Sequence, residues 1–187
     1  MINLKEKYNK EAIPAMIEKF GYNNKNQTPK IEKVVVNIGF GNYAVSKSGD
    51  ELKKFKAGII RDLGLITGQK PSFREAKKSI AGFKLRKGVV IGAKVTLRGE
   101  RMFDFLDRLI HIALPRSRDF RGLDYNCFDN QGNLSIGIKE QIIFSEVSAE
   151  KLKNIFGFQV VIKTSTKNKE EGMELLKLLG FPIKKNG

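Results

Sequence analysis

Between Val89 and Arg98 the chain alternates without a break: Val89, Ile91, Ala93, Val95 and Leu97 take the odd positions, and Val90, Gly92, Lys94, Thr96 and Arg98 the even ones. Successive side chains of a strand point to opposite faces, so this segment is predicted to be a strand with one apolar face and one polar, basic face. Such a strand needs a covering layer on its apolar side and leaves its other side to water or a ligand. Ile31 to Gly39 repeats the demand, sending Val34, Val36 and Ile38 one way and Val35 and Asn37 the other.

Segments of helical spacing supply the covering layer. Leu4, Tyr8, Ile13, Met16, Ile17 and Phe20 mark one helix over 3–20, with Pro14 as the place for a kink and Gly21 as a stop. Leu52, Phe55, Ile59, Ile60, Leu63 and Ile66 mark a second over 48–66, broken by Gly68 to Pro71. A third carries Met102, Phe103, Phe105, Leu106, Leu109, Ile110 and Ala113 and should end before Pro115. Beyond the basic turn PRSRDFRG, strands near 133–144 and 157–165 alternate with short helices near 148–154 and 168–179. The expected class is α+β: a two-layer arrangement of an antiparallel or mixed β-sheet with helices packed on one face. The chain has 187 residues with no internal repeat and no low-complexity linker, so 1–187 reads as a single domain.

Charge narrows the function. Thirty-five Lys and Arg against 20 Asp and Glu leave a formal +15, and self-repulsion of that size is best tolerated beside a polyanion. Residues 70–98 hold nine of the cations and one acid, Glu75, so these 29 residues carry +8 of the total. No apolar run approaches the ~20 residues that span a bilayer, so no membrane partner is expected. The opening MINLKEKYNKEAIPAM does not read as a secretion signal, which places the chain inside a cell or organelle. One Cys and one His cannot complete a zinc site, so neither metal nor cofactor is implied.

Enzymatic signatures are missing. His111 reads as a solvated imidazole on a helix face, and Cys127 lacks the flanks of a nucleophile motif. Gly39 and Gly41 follow a strand, but no third glycine arrives at dinucleotide-binding spacing. An enzyme acting on RNA therefore rests on charge and size alone, and a nonspecific nucleic-acid condenser on charge alone.

Basic residues by themselves confer little specificity. About six phosphate contacts would lose ~1000-fold in affinity between about 50 and 200 mM salt. Lys94, Thr96 and Arg98 recur at ~6.6 Å along one strand face, close to the ~6 to 7 Å repeat of an extended nucleic-acid backbone, and read either as an RNA-facing row or as a solvated outer face. Asn37 is either buried and hydrogen-bonded or exposed and open to RNA. From Lys77 to Lys87 a basic loop includes Lys78, Ser79, Ala81, Gly82, Phe83, Lys84 and Arg86, and Phe83 either stacks on a base or tucks under its own loop. Lys53, Lys54, Lys56, Lys184 and Lys185 read as solvated faces.

In this order, KIEKVVVNIGFG, ITGQKP, AKKSIAGFKLRKG, IGAKVTLRGERM, ALPRSRDFRGL, FDNQGNLSIGIKEQIIF and EEGMELLKLLGFP resemble the family of the bacterial-type large-subunit ribosomal protein number five. The resemblance covers most of the chain; residues 42–60 and the terminal KKNG carry no motif of it. It implies an α+β fold whose sheet binds 5S rRNA in the central protuberance of the large subunit, with no catalysis. Asn37, Gln69 and Thr96 match the family positions that hydrogen-bond 5S rRNA, and Lys70, Lys94 and Arg98 belong to the same expected surface. The loop from Lys77 to Lys87, around Ala81 to Lys84, resembles the one that reaches the P-site tRNA. Further implied partners are 23S rRNA, small-subunit ribosomal protein number thirteen and other large-subunit proteins, on a bacterial cytoplasmic ribosome in preference to an organellar one.

Overall fold

A computed structural model of the chain describes residues 4–47, 49–118, 120–147 and 155–184. The first alternating run forms β1 over Ile31–Gly39, burying Val34, Val36 and Ile38 and exposing Asn37 and Gly39. Ser72–Glu75 forms a short β2, and the second alternating run forms β3 over Val90–Leu97. These two pair antiparallel, with Ser72 opposite Lys94 and Arg74 opposite Gly92. Leu134–Ile138 is β4 and Phe158–Thr164 is β5. Together they make a five-stranded antiparallel sheet in the order β2-β3-β1-β5-β4, and with its helices the fold is α+β as expected.

Among the described residues, five helical stretches besides short 3-10 turns accompany the sheet. Helix α1 runs through Leu4–Lys7, Tyr8–Ala12 and Ile13–Phe20; α2 is Gly41–Ser46 and α3 is Gly49–Thr67. Helix α4 runs through Gly99–Arg108, Leu109–Ala113 and Leu114–Arg116, and α5 is Lys169–Leu178. The middle segments of α1 and α4 are π-helical: Ile13 N–H donates to the Tyr8 carbonyl, and Leu114 N–H to that of Leu109. One residue after each segment comes a proline, Pro14 or Pro115, which has no N–H for the carbonyl four residues back. A wider turn accommodates the ring, so α4 continues through Arg116 instead of ending before Pro115.

Backbone contacts divide the chain into two compact units: Met1–Val34, Leu97–Ile136 and Val160–Gly187 in the first, Val35–Thr96 and Gly137–Gln159 in the second. The first unit buries Leu4 and Met16 of α1, Phe105, Leu106 and Leu109 of α4, and Leu175 and Leu176 of α5, together with Leu97, Val160 and Ile162. The second buries Phe55, Ile59, Leu63 and Ile66 of α3 with Val36, Ile38, Ala93 and Val95. Each such side chain contributes roughly 1.5–3 kcal/mol relative to exposure, which holds the apolar sheet face against its helices.

The strand expected over 133–144 stops at Ile138. Gln141 is fully buried and replaces the ladder: its Oε1 accepts Phe156 N–H at 2.8 Å, and its own N–H donates to Phe156 O at 3.2 Å. A tight turn over Gln141–Ile143 follows. The helix expected near 148–154 lies outside the described residues. Strand 157–165 and helix 168–179 form to within a residue of their expected limits, as β5 and α5.

Candidate nucleic-acid interface

In the second unit, Asn37, Lys94 and Thr96 stand on the side of β1 and β3 away from the buried Val36, Ile38 and Val95. Asn37 is exposed, and Lys94 and Thr96 are half-buried. Among the described residues none of these three side chains has a hydrogen-bond or ion-pair partner. A row of amide, ammonium and hydroxyl with its bonding capacity unspent can bind a ligand rich in acceptors and hydroxyls. Ser72 and Arg74 of β2 join this face through their pairing with Lys94 and Gly92, and the Arg74 guanidinium lies 3.4 Å from Ser72 Oγ.

Gly92 keeps the surface flat. A Cβ there would stand 2.7 Å from the Ile38 carbonyl oxygen, so the close approach of β3 to β1 excludes any side chain. The polar face of β2, β3 and β1 in this unit carries no exposed aromatic ring. It offers hydrogen bonds and positive charge with no platform for base stacking.

Gln69 and Lys70 reach the edge of the same unit through the end of α3. Thr67 Oγ1 donates to Leu63 O at 2.6 Å, and Gly68 turns the chain at φ +64°. Gln69 is then half-buried, Lys70 exposed, and Ser72 begins β2 opposite Lys94. Arg98 belongs to the first unit, where it is exposed at the residue preceding α4.

The loop from Lys77 to Lys87 is a closed extension of the β2–β3 hairpin. Ala76 N–H donates to Val89 O and Gly88 N–H to Ala76 O at its base, while Ile80 and Leu85 exchange bonds of 2.9 and 3.1 Å further out. Ser79 Oγ accepts the Lys87 N–H at 3.0 Å. Ala81, Gly82 and Phe83 form a single tight turn, closed by Lys84 at φ 50°, the one non-glycine residue with positive φ among the described residues. Phe83 is 71% exposed at this tip, so it does not tuck under its loop. Lys77, Lys78, Lys84, Arg86 and Lys87 have no ion-pair partner among the described residues.

Of the residues read as bland surface, Lys185 lies outside the described residues. His111 is exposed beside Asp107, its Nδ1 3.1 Å from a carboxylate oxygen, and Cys127 is a half-buried free thiol. Lys53 pairs with Asp50, and Lys184 with Asp124 at 2.6 Å. Among the described residues no cluster of His, Cys, Asp and Glu could hold a metal, and no helix is long and apolar enough to cross a membrane.

Comparison with known proteins decides the family. The model of ribosomal protein L5 matches residues 24–86, and that of the C-terminus of the same ribosomal family matches residues 90–183. Proteins named large ribosomal subunit protein uL5 match along nearly their whole length. That of Alkaliphilus oremlandii is 52% identical over 99% of this chain and 100% of its own length. That of Syntrophomonas wolfei is 53% identical over 98% and 100%, and that of Dictyoglomus turgidum 54% identical over 97% and 98%. The chain belongs to the ribosomal protein L5 family. Members of this family are structural, non-enzymatic components of the ribosome. The L5 match includes residues 42–60, which hold most of α2 and much of α3, whose Ala44, Phe55 and Ile59 serve the core.

Two residues of this face, Ser72 and Arg74, escape the sequence reading. Their strand spans four residues directly after the helix-breaking Gly68 to Pro71, too short for a period of two to stand out. The alternation of Ser72 and Arg74 around Phe73 is the only signal available.

Proposed function

We propose that this chain is a constituent of the large ribosomal subunit that binds 5S rRNA through the polar sheet face carrying Asn37, Lys94 and Thr96, attaches it to 23S rRNA in the central protuberance, and acts there as one rRNA-binding domain. The observation that carries this reading is the unpartnered row of those three side chains in a member of a ribosomal protein family. Hydrogen-bonding groups and cations on a flat face without aromatics suit double-helical RNA, whose wide, shallow minor groove displays 2′-hydroxyls. Gln69 and Lys70 extend the binding surface of this unit, and Arg98, in the first unit, is a further RNA contact. The loop from Lys77 to Lys87, with Phe83 at its tip, reaches the P-site tRNA, and small-subunit ribosomal protein number thirteen is a further contact. The place of work is the bacterial cytoplasmic ribosome.

The two RNA contacts separate by mutation. Asn37→Ala and Thr96→Ala should each weaken 5S rRNA binding by ~1 to 3 kcal/mol, the cost of a lost hydrogen-bonded contact. Replacing Lys84 and Arg86 by Ala should leave 5S rRNA affinity within a few-fold and reduce crosslinking of the chain to P-site tRNA on assembled ribosomes. If both sheet variants bind 5S rRNA as well as the parent, the sheet-face assignment is wrong.

A further inference from the structure

The second unit has another surface, of different chemistry from the polar sheet face. Along the outside of α3, Lys54, Gly58, Arg61 and Leu65 recur at intervals of four, three and four residues and therefore share one stripe. A groove of about 290 Å³ lies beside the Lys54–Arg61 part of it, lined by Phe55, Ile59 and Phe156 and by Lys54, Arg61 and Asp62, with Leu65 one turn further along the stripe. Gly58 opens the groove, since a Cβ there would meet nothing within 4 Å. Leu65 is 52% exposed, and Ile155, next to the groove-lining Phe156, is 61% exposed.

The charge of the rim is one-sided. Between Glu51 and Glu75 the only acid is Asp62, which is buried 2.8 Å from Arg61 Nε. Lys54 and Lys56 have no ion-pair partner among the described residues. Cations alone would suit RNA, but aliphatic side chains such as Leu65 and Ile155 neither stack on bases nor bond phosphates, and RNA would leave them uncovered. An apolar floor, a missing side chain and a basic rim fit a helix with an apolar stripe flanked by carboxylates.

We propose that the groove along α3 docks an acidic amphipathic helix of a protein partner. From Lys54 to Leu65 the stripe is about 16 Å long, so three turns of a partner helix would cover it. Aliphatic residues of that helix at i, i+3, i+4 and i+7 would lie over the groove, and its flanking carboxylates would meet Lys54 and Arg61. This surface is separate from the residues assigned to RNA, and the proposal does not depend on them.

The test uses the full chain and a labelled synthetic peptide of about 14 residues, with Leu at i, i+3, i+4 and i+7 and Glu on the flanks, followed by fluorescence anisotropy at about 0.15 M salt. A scrambled peptide of the same composition and a short RNA duplex serve as comparisons. Leu65→Ser removes exposed apolar surface, and Gly58→Leu fills the groove with a residue that favours helix over glycine. The expected result is binding of the patterned peptide that both variants weaken about tenfold or more, with 5S rRNA binding retained and the melting temperature not lowered. Absence of binding, equal binding of the scrambled peptide, or loss of duplex binding in both variants with the peptide unaffected would each overturn the proposal.

Discussion

At the scale of single residues, Gly92 and Asp129 each fix a stretch of backbone, one in each unit. Gly92 is imposed by its neighbour strand: a methyl group there would stand 2.7 Å from a backbone oxygen that cannot swing aside. Gly92→Ala should therefore cost ~1 to 3 kcal/mol, seen as a lower urea midpoint, whereas an unchanged midpoint would mean that β1 and β3 separate easily. Asp129 organises the turn before β4. Burial alone would raise its carboxyl, but hydrogen bonds from Asn133 and Gln131 and the charge of Lys163 hold it below the ordinary carboxylate range. A depressed pKa means that the stabilisation is fully present above the unfolded value near ~3.9 and is lost as pH falls through the lower folded value. Asp129→Ala should thus destabilise the chain by ~1 kcal/mol at neutral pH, and the difference should shrink progressively below about pH 4. Urea titrations at several pH values check this; a difference that persists undiminished in acid would contradict it. Asn37 shows what sequence leaves open at this scale. An amide among valines satisfies a buried or an exposed reading equally, and only the exposed side of β1 decides between them.

At the scale of elements, legibility followed the length of the pattern. β1 and β3 carry nine and eight residues of alternation and stand where the sequence places them, while the four residues of β2 have too little pattern to register. Prolines mislead for a physical reason. Pro115 would ordinarily end a helix, but the π-helical turn before it releases the blocked carbonyl from the usual ladder, and α4 runs on to Arg116. The loop after Lys77 is an element held by few bonds: residues 77–84 are all exposed, and five cations repel one another along it. In the free protein its amides should exchange with solvent faster than those of β3, and RNA contact should slow them. Hydrogen exchange as slow as that of β3 without RNA would show instead a rigid, preformed finger.

For the whole molecule, the α+β class could be read from sequence because one-sided strands require a helical layer, and that requirement is independent of family. The specific RNA could not, since +15 of charge attracts any polyanion and periodicity does not distinguish a solvated face from a bound one. The motifs that resemble a ribosomal protein family point to the family, and similarity along nearly the full length of the relatives shows it. We propose a division of labour in which charge supplies affinity and the hydrogen-bonding row on β1 and β3 supplies selectivity. It is tested most directly by measuring binding of the chain and its Thr96→Ala variant to 5S rRNA and to an unrelated structured RNA of equal length, at matched near-physiological salt. The expected result is selective binding to 5S rRNA that the variant loses by ~1 to 3 kcal/mol, with the weaker binding to the other RNA unchanged. Equal, steeply salt-dependent binding to both RNAs, indifferent to Thr96, would mean that charge alone holds the RNA and would contradict a sheet that reads it.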